Sequence, residues 1–398
     1  RYMERLRRRH GHRKSSRELQ AVRTAGRMPH QFSSAQKHID ALSRLVFLCY
    51  SKDFNVPNEN LEPVFPDFEY AAGLDVAERA EFLRLADMHH VTVRGLEILE
   101  KSASTLGSES LRVWCQNVLS RERSRIDFAI RSLFPICEAL EAAGAKVAVI
   151  KSLDHWPDLG SDLDLYTSGN QSTVIRAMSE AFQANLEPRS WGDRLANKWN
   201  FRVPGLSELV EIHIGYLGQT GEHQAMARRV IERRVTKTVN GYTFQIPAPE
   251  ERVVISTLQR MYRHFYFRLC DMVDFALLLQ SGAIDFAELR NAALIGGIWP
   301  GVATFLLLVS EYAKAFGGSA PIPGDVLKSA HSQDIRVYLG GNFLRVPKGP
   351  AAALYASQLM NAGRRVDFRA MSRLPLLPPL AISAFLAYKL TGSDKGVW

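Results

Sequence analysis

"VIKSLDHWPDLGSDLDLY", residues 149–166, marks a change of texture in the chain. Upstream the apolar residues recur three and four apart. Here "GAKVAVIKS" (144–152) is a short apolar, β-branched run that follows a glycine able to end a helix. A turn, "LDHWPDLG", leads into a second strand, "SDLDLYTS". Side chains alternate faces along a strand, so Asp162 and Asp164 point one way while Leu163 and Leu165 point into the core. Two carboxylates a few ångströms apart repel, and a divalent cation removes that cost. Two hard oxygen ligands suit Mg²⁺, which takes its other ligands from water and phosphates. The alternative is a plain strand ending in two solvated acids.

Three further features bear on that choice. "VIKS" ends a strand ten residues before Asp162, and the turn after it offers backbone N–H groups, the Ser152 hydroxyl and the Lys151 ammonium to a triphosphate. A third acid, Glu211, lies mid-strand in "LVEIHI" (209–214); Val210 and Ile212 belong to the core, so Glu211 and His213 face the other side. An acid in that position needs a partner, and a metal shared with Asp162 and Asp164 supplies one. The order is then strand, phosphate turn, strand with paired acids, and a later strand with one acid.

This set resembles the nucleotidyltransferase superfamily that includes DNA polymerase β, whose pattern is a Gly-Ser turn, about ten residues, an Asp-x-Asp pair and a third carboxylate on a later strand. Lys151-Ser152 stands at the Gly-Ser, Asp162 and Asp164 at the pair, and Glu211 at the third acid. The chain looks most like a poorly characterised bacterial group with a Lys-Gly turn and an Asp-x-His strand, of which "VIKS" and "VEIHI" are variants. "PAPEERVVISTLQRMYRHFYFRLCDMVDFALLL" is similar to that group's helical extension. The likeness spans about residues 135 to 285. It departs at Ser152, at Lys151 and at the longer Glu211.

The resemblance implies transfer of a nucleoside monophosphate from an NTP, ATP foremost, to an acceptor hydroxyl with release of pyrophosphate. Asp162, Asp164 and Glu211 would hold two Mg²⁺ ions, with Mn²⁺ as a substitute. Lys151 and Ser152 would hold the β- and γ-phosphates, and His213 would orient Glu211 or contact the nucleotide. Glu211 would also help deprotonate the acceptor.

Around this core the chain reads as helix. The expected fold class is α+β: a small mixed β-sheet nucleotidyltransferase core flanked by N-terminal and C-terminal helical regions. The divisions are a basic tail at 1–28, helices at 29–138, the core at 139–248 and a helical region at 249–398. "NVPNENLEPVFPDF" is a Pro/Asn loop, "NKWNFRV" to "VEIHIGYL" a hairpin, and Asn240-Gly241 a tight hairpin turn. From Pro249 to Gly282 the pattern is helical throughout. His89 and His90 read as ordinary histidines. Arg268, Asp271 and Asp274 share a helix face, either a salt-bridged surface or a substrate-contacting one, with His264 just before them. Lys198, Trp199 and Arg202 lie on the strand before Glu211, within reach of a phosphate or base.

The chain has 398 residues, 46% hydrophobic and 23% charged, and a net charge of +9. Ten Lys or Arg and two Glu fall in the first 28 residues, which leaves the rest nearly neutral. The tail is thus a solvated leader or a contact for nucleic acid or an anionic membrane, and Met28 offers an alternative start. The near-neutral remainder gives no support for a long nucleic-acid track. Cys49, Cys115, Cys137 and Cys270 lie far apart, against a disulfide framework or zinc site, so a cytoplasmic location is expected. "LPLLPPLAISAFLAY" (374–388) is too short to span a membrane and reads as a buried C-terminal helix. The sequence leaves the acceptor open: a small molecule, a protein side chain or a tRNA end would each fit the implied transfer. The competing readings are an Asp-x-Asp glycosyltransferase using a nucleotide-sugar and Mn²⁺, and a non-catalytic binding module.

Overall fold

A computed structural model describes residues 29–48, 65–331 and 335–391. The basic tail, Met28, Cys49 and most of the Pro/Asn loop lie outside the described residues. The fold is α+β, a small mixed sheet with helices before and after it. Five helices come first: α1 (Pro29–Leu48), α2 (Phe65–Gly73), α3 (Val76–Met88), α4 (Thr92–Leu106) and α5 (Glu109–Ala142). The 34 residues of α5 span about 50 Å at 1.5 Å each. Its buried residues Ile126, Ala129, Ile130, Leu133, Ile136 and Leu140 recur three and four apart, and that stripe packs on α4 and on the sheet.

The sheet contains β1 (Val147–Val149), β2 (Asp162–Thr167), β3 (Asn185–Leu186), β4 (Lys198–Arg202) and β5 (Leu209–Ile214), in the order β1-β2-β5-β4-β3. Helix α6 (Gln171–Phe182) and the short α7 (Trp191–Ala196) lie between these strands in the chain. All neighbours are antiparallel except β2 and β5, which run parallel. In that parallel pair Asp164 stands opposite Glu211, and Asp162 opposite Leu209. Leu163, Leu165, Val210, Ile212 and Phe201 are fully buried on the core face. The acids take the other face because the pleat leaves them no choice.

Helix α8 (Gln224–Glu232) precedes the hairpin β6 (Arg234–Val239) and β7 (Tyr242–Pro247). Its turn residues Asn240 and Gly241 have φ of 48° and 80°, the pair of positive angles that a two-residue turn of this hand requires. The stretch from Pro249 to Gly282 is not continuous helix. It divides into α9 (Pro249–Gln259), a π-helical turn (Arg260–His264), β8 (Tyr266–Phe267) and α10 (Leu269–Gln280). Two features break it: Phe265 is left-handed at φ 54°, and Asp271 accepts the Arg268 backbone N–H at 2.7 Å to start a new helix. Helices α11 (Phe286–Gly296), α12 (Trp299–Ala315) and α13 (Gly324–Lys328) follow. Next come β9 (Tyr338–Gly340) and β10 (Phe343–Arg345), which join β8 in a second sheet, then α14 (Lys348–Arg364), α15 (Phe368–Arg373) and α16 (Leu377–Thr391).

Helix α16 corrects the expectation of a buried C-terminal helix. Ala384 is buried, but Ile382, Leu386 and Leu390 are 60%, 51% and 83% exposed. Its apolar residues do not keep to one stripe, so one neighbour cannot cover them. No helix among the described residues is long and apolar enough to cross a membrane.

Candidate active site

The turn after β1 is held in an unusual conformation. Lys151 has φ 61° and ψ −59°, and the Ser152 N–H donates to the Ile150 carbonyl at 2.6 Å, closing a γ-turn of the strained hand. Such outliers concentrate at functional sites, because the surrounding structure must hold them in place. The turn is held through Ser152. Its hydroxyl accepts the Asp164 N–H at 2.8 Å and donates to the Asp162 carbonyl at 3.1 Å, so the turn is fastened to the strand that carries the acids. That hydroxyl is buried and committed to the β2 main chain. The expectation that it holds phosphate therefore gives way to a positioning role.

The Lys151 ammonium pairs with Asp164 Oδ1 and lies 3.7 Å from Glu211 Oε1. Glu211 is fixed on both oxygens: His213 Nε2 donates to Oε1 at 2.8 Å, and Lys198 Nζ donates to Oε2 at 2.8 Å. Lys198 is in turn held by Asp193 at 2.9 Å. Donor atoms of Asp164, Glu211 and His213 all lie within 4.8 Å of one another. Asp162 is on the same face two residues along but outside that tight group.

The electrostatics follow from burial. Asp164 is pushed up to about 7 by burial and by Glu211, against the pull of Lys151. Burial and Glu211 also raise Asp162. Glu211 is buried too, but Lys198, Lys151 and His213 hold it well below the usual carboxylate range. Burial pushes His213 down to about 4 although Glu211 opposes it, so the ring is neutral and donates one N–H. Burial thus raises both aspartates, while the two lysines and His213 keep Glu211 ionised.

A cavity of about 250 Å³ opens over this face, with Lys151, Asp162, Asp164, Lys198 and Glu211 on its sheet side. The helical side supplies His90, Arg260, Arg263, His264 and Arg268. No carboxylate among the described residues pairs with Arg263 or Arg268. The Arg268 Nε and the His90 Nδ1 are buried with no hydrogen-bond partner among the described residues. Sequence reasoning missed His90 and Arg263. The one signal was glycine: a Cβ on Gly160 would come within 2.8 Å of the His90 ring, so that turn residue must be bare for the ring to pack there.

Three other groups singled out in the sequence fall elsewhere. Asp271 and Asp274 are not a solvated face but are buried, Asp271 with Arg260 at 2.8 Å and Asp274 with Arg94 at 2.6 Å. Trp199 stacks under Arg189 at 3.9 Å, and Arg202 pairs with Glu187 at 2.7 Å; neither lines the cavity. Arg94 is the hub behind the site. Its guanidinium bonds Asp158 at 2.9 Å, Asp274 at 2.6 Å and the His155 carbonyl at 2.6 Å, which ties α4 and α10 to the loop that delivers β2. His155 also meets Asp274 at 2.6 Å and Cys270 at 3.8 Å. His90, His155 and Cys270 form a second cluster whose donor atoms lie within 4.8 Å of one another. Cysteine spacing gave no hint of it, because its members come from three distant segments.

No protein-family model matches the chain, and no curated protein matches it. Among solved structures it is similar to the crystal structure of an antigenic nucleotidyltransferase-like protein from Paracoccidioides brasiliensis. The identity is 14%, over 49% of this chain and 94% of that one, with a TM-score of 0.30. A likeness of that degree decides nothing about chemistry, which rests on the site geometry.

Proposed function

We propose that this protein is a metal-dependent nucleotidyltransferase that moves a nucleoside monophosphate from an NTP, ATP foremost, to a hydroxyl group and releases pyrophosphate. The observation that carries this reading is the register of β2 and β5, which sets Asp164 beside Glu211 with Asp162 on the same face, under a cavity whose roof includes Arg263 and Arg268, neither paired with a carboxylate among the described residues. The donor set fits Mg²⁺, since all three acids offer hard carboxylate oxygens on one sheet surface. Asp162, Asp164 and Glu211 would hold the ion or ions, which supply phosphate charge neutralisation and a lowered acceptor pKa when bound.

The chain's own residues do the rest. Arg263, Arg268 and Lys151 face the same cavity and bind phosphate oxygens; Arg263 and Arg268 have no carboxylate partner among the described residues to give up. Lys151 carries positive φ at the place where the resembled pattern has glycine, and that angle turns its side chain onto the acids. Glu211, held on both oxygens, acts as an oriented ligand and not as a mobile base. The proposed setting is the cytoplasm, a reducing compartment in which the free thiols of Cys115, Cys137 and Cys270 would stay reduced.

One observation favours a second reading, a non-catalytic module: Lys151 and Lys198 already neutralise the acids from within. The test is label transfer from α-labelled ATP with Mg²⁺ and a cell extract. Wild type labels an acceptor, and Asp164→Asn and Glu211→Gln each lose at least a hundredfold while remaining folded. Full activity in both variants defeats the metal assignment. Absence of transfer together with absence of any nucleotide-induced rise in Tm selects the binding module.

A further inference from the structure

We infer that a second cavity, adjoining the first through Arg263 and His264, holds the acceptor, and that the acceptor is an amphipathic anion with a hydroxyl group. This rests on the nucleotidyltransferase reading and goes on to name the class of its second substrate. The cavity measures about 710 Å³, within the size range of small-molecule sites. Its walls are largely apolar and aromatic, from the π-helical turn, β9 and β10, α14 and the start of α16, with Tyr338, Val346, Ala352 and Leu377 among them. Among the described residues its charged groups are Arg263, Arg345 and Lys348, and no Asp or Glu lines it. None of the three cations pairs with a carboxylate among the described residues. With Arg263 given to the nucleotide, Arg345 and Lys348 remain as cations in an apolar chamber, which matches a ligand with an apolar body and an acidic group. It rejects a polycation, which would meet like charge with no carboxylate to receive it.

The junction is built at a backbone irregularity. Arg263 and His264 sit on the π-helical turn, immediately before the left-handed Phe265, and both side chains line both cavities. The π turn ends its helix, and its wider winding re-aims Arg263 and His264 from where a regular last turn would point them. A molecule seated here with its acid on Arg345 or Lys348 extends its hydroxyl past Arg263 toward the three carboxylates. The step then balances simply. The hydroxyl oxygen forms a bond to the α-phosphorus, the bond from that phosphorus to the bridging oxygen breaks, pyrophosphate leaves with the electron pair, and the hydroxyl proton passes to solvent. The product is a phosphodiester, with no change in oxidation state.

The test uses the full chain and three probes with a common apolar chain: 12-hydroxydodecanoate, 1,12-dodecanediol and 12-aminododecanol, measured by titration calorimetry. The hydroxy acid binds at least tenfold tighter than the diol, and the amino alcohol shows no measurable binding. Lys348→Glu weakens the hydroxy acid at least tenfold. Ala381→Trp, at an exposed position on the wall, abolishes its binding, while the Tm shift with Mg²⁺ and ATP is unchanged in both variants. No binding of the hydroxy acid, equal binding of the amino alcohol, or indifference to both variants overturns the inference. Binding in the expected order without nucleotide transfer to any acceptor removes the nucleotidyltransferase reading and leaves the anion-binding cavity. Transfer to a polycationic acceptor alone does the reverse.

Discussion

Arg94→Met should destabilise this protein more than most single substitutions. The Arg94 side chain is 2% exposed and holds two carboxylates and a carbonyl, and methionine replaces most of its volume but none of its bonds. Asp274 keeps His155 as a partner, whereas Asp158 keeps only the backbone N–H groups of residues 93 and 94. One buried charge thus loses its counter-ion, which costs about 3–5 kcal/mol. That is a large share of the roughly 5–15 kcal/mol that a domain has in total. The effect has a pH signature. Burial raises Asp158 to about 6 although Arg94 and the Val93 N–H oppose it. The folded chain therefore holds that proton more tightly than the unfolded chain, whose carboxyl titrates near 3.8, so acidification through this window favours folding at this group. Loss of Arg94 raises the value further, and the variant gains more from acid than wild type does. Urea denaturation at pH 8 and pH 5.5 measures both quantities. The deficit should be full at pH 8 and smaller at pH 5.5, and Asp158→Asn added to Arg94→Met should recover part of it. A deficit under about 1 kcal/mol, or one that grows on acidification, refutes the role given to this hub.

Two other substitutions test different parts of the argument. Lys151→Gly and Lys151→Ala both remove the ammonium, but only alanine keeps a Cβ at φ 61°, so the glycine variant should be the more stable by about 1 kcal/mol in denaturant titration; equal stability means the turn carries no strain. His89 is buried, accepts the Leu269 N–H at 3.0 Å on Nδ1 and reaches the Asn342 carbonyl at 2.7 Å through Nε2, which requires a neutral ring. Burial pushes it down to about 4, against 6.5 for the free side chain. Its contribution is therefore whole above pH 6.5 and lost as pH falls to 4, on the order of 3 kcal/mol. His89→Gln should flatten that part of the stability profile, and an unchanged slope between pH 6.5 and 4 counts against it.

The sheet was legible because its rules are local. Alternation in "DLDLY" and "VEIHI" puts acids on one face and leucine, valine or isoleucine on the other whatever surrounds them. Asn240-Gly241 announces its own turn, since few other pairs accept two positive φ angles. The run from Pro249 to Gly282 misled because its apolar periodicity continues through the break. The break itself depends on β8 pairing with β10, 77 residues on from Phe267 at Leu344. The exposed α16 misled for the opposite reason: composition suggested burial, and only the assembled chain shows what lies beside it.

The sequence by itself determined which side chains can share a surface: Asp162 with Asp164, and Glu211 with His213, because period-two geometry needs no partner. Tertiary structure decided how those surfaces meet. It set β2 beside β5 in parallel and in a register that puts Asp164 opposite Glu211, turned Lys151 onto both, and spent Ser152 on the main chain. It also brought His90 and Arg263 to the cavity and placed Arg94 against Asp158 and Asp274, 64 and 180 residues away. Such contacts leave no periodic trace in the sequence, since a buried charge finds its counter-charge in space and not along the chain.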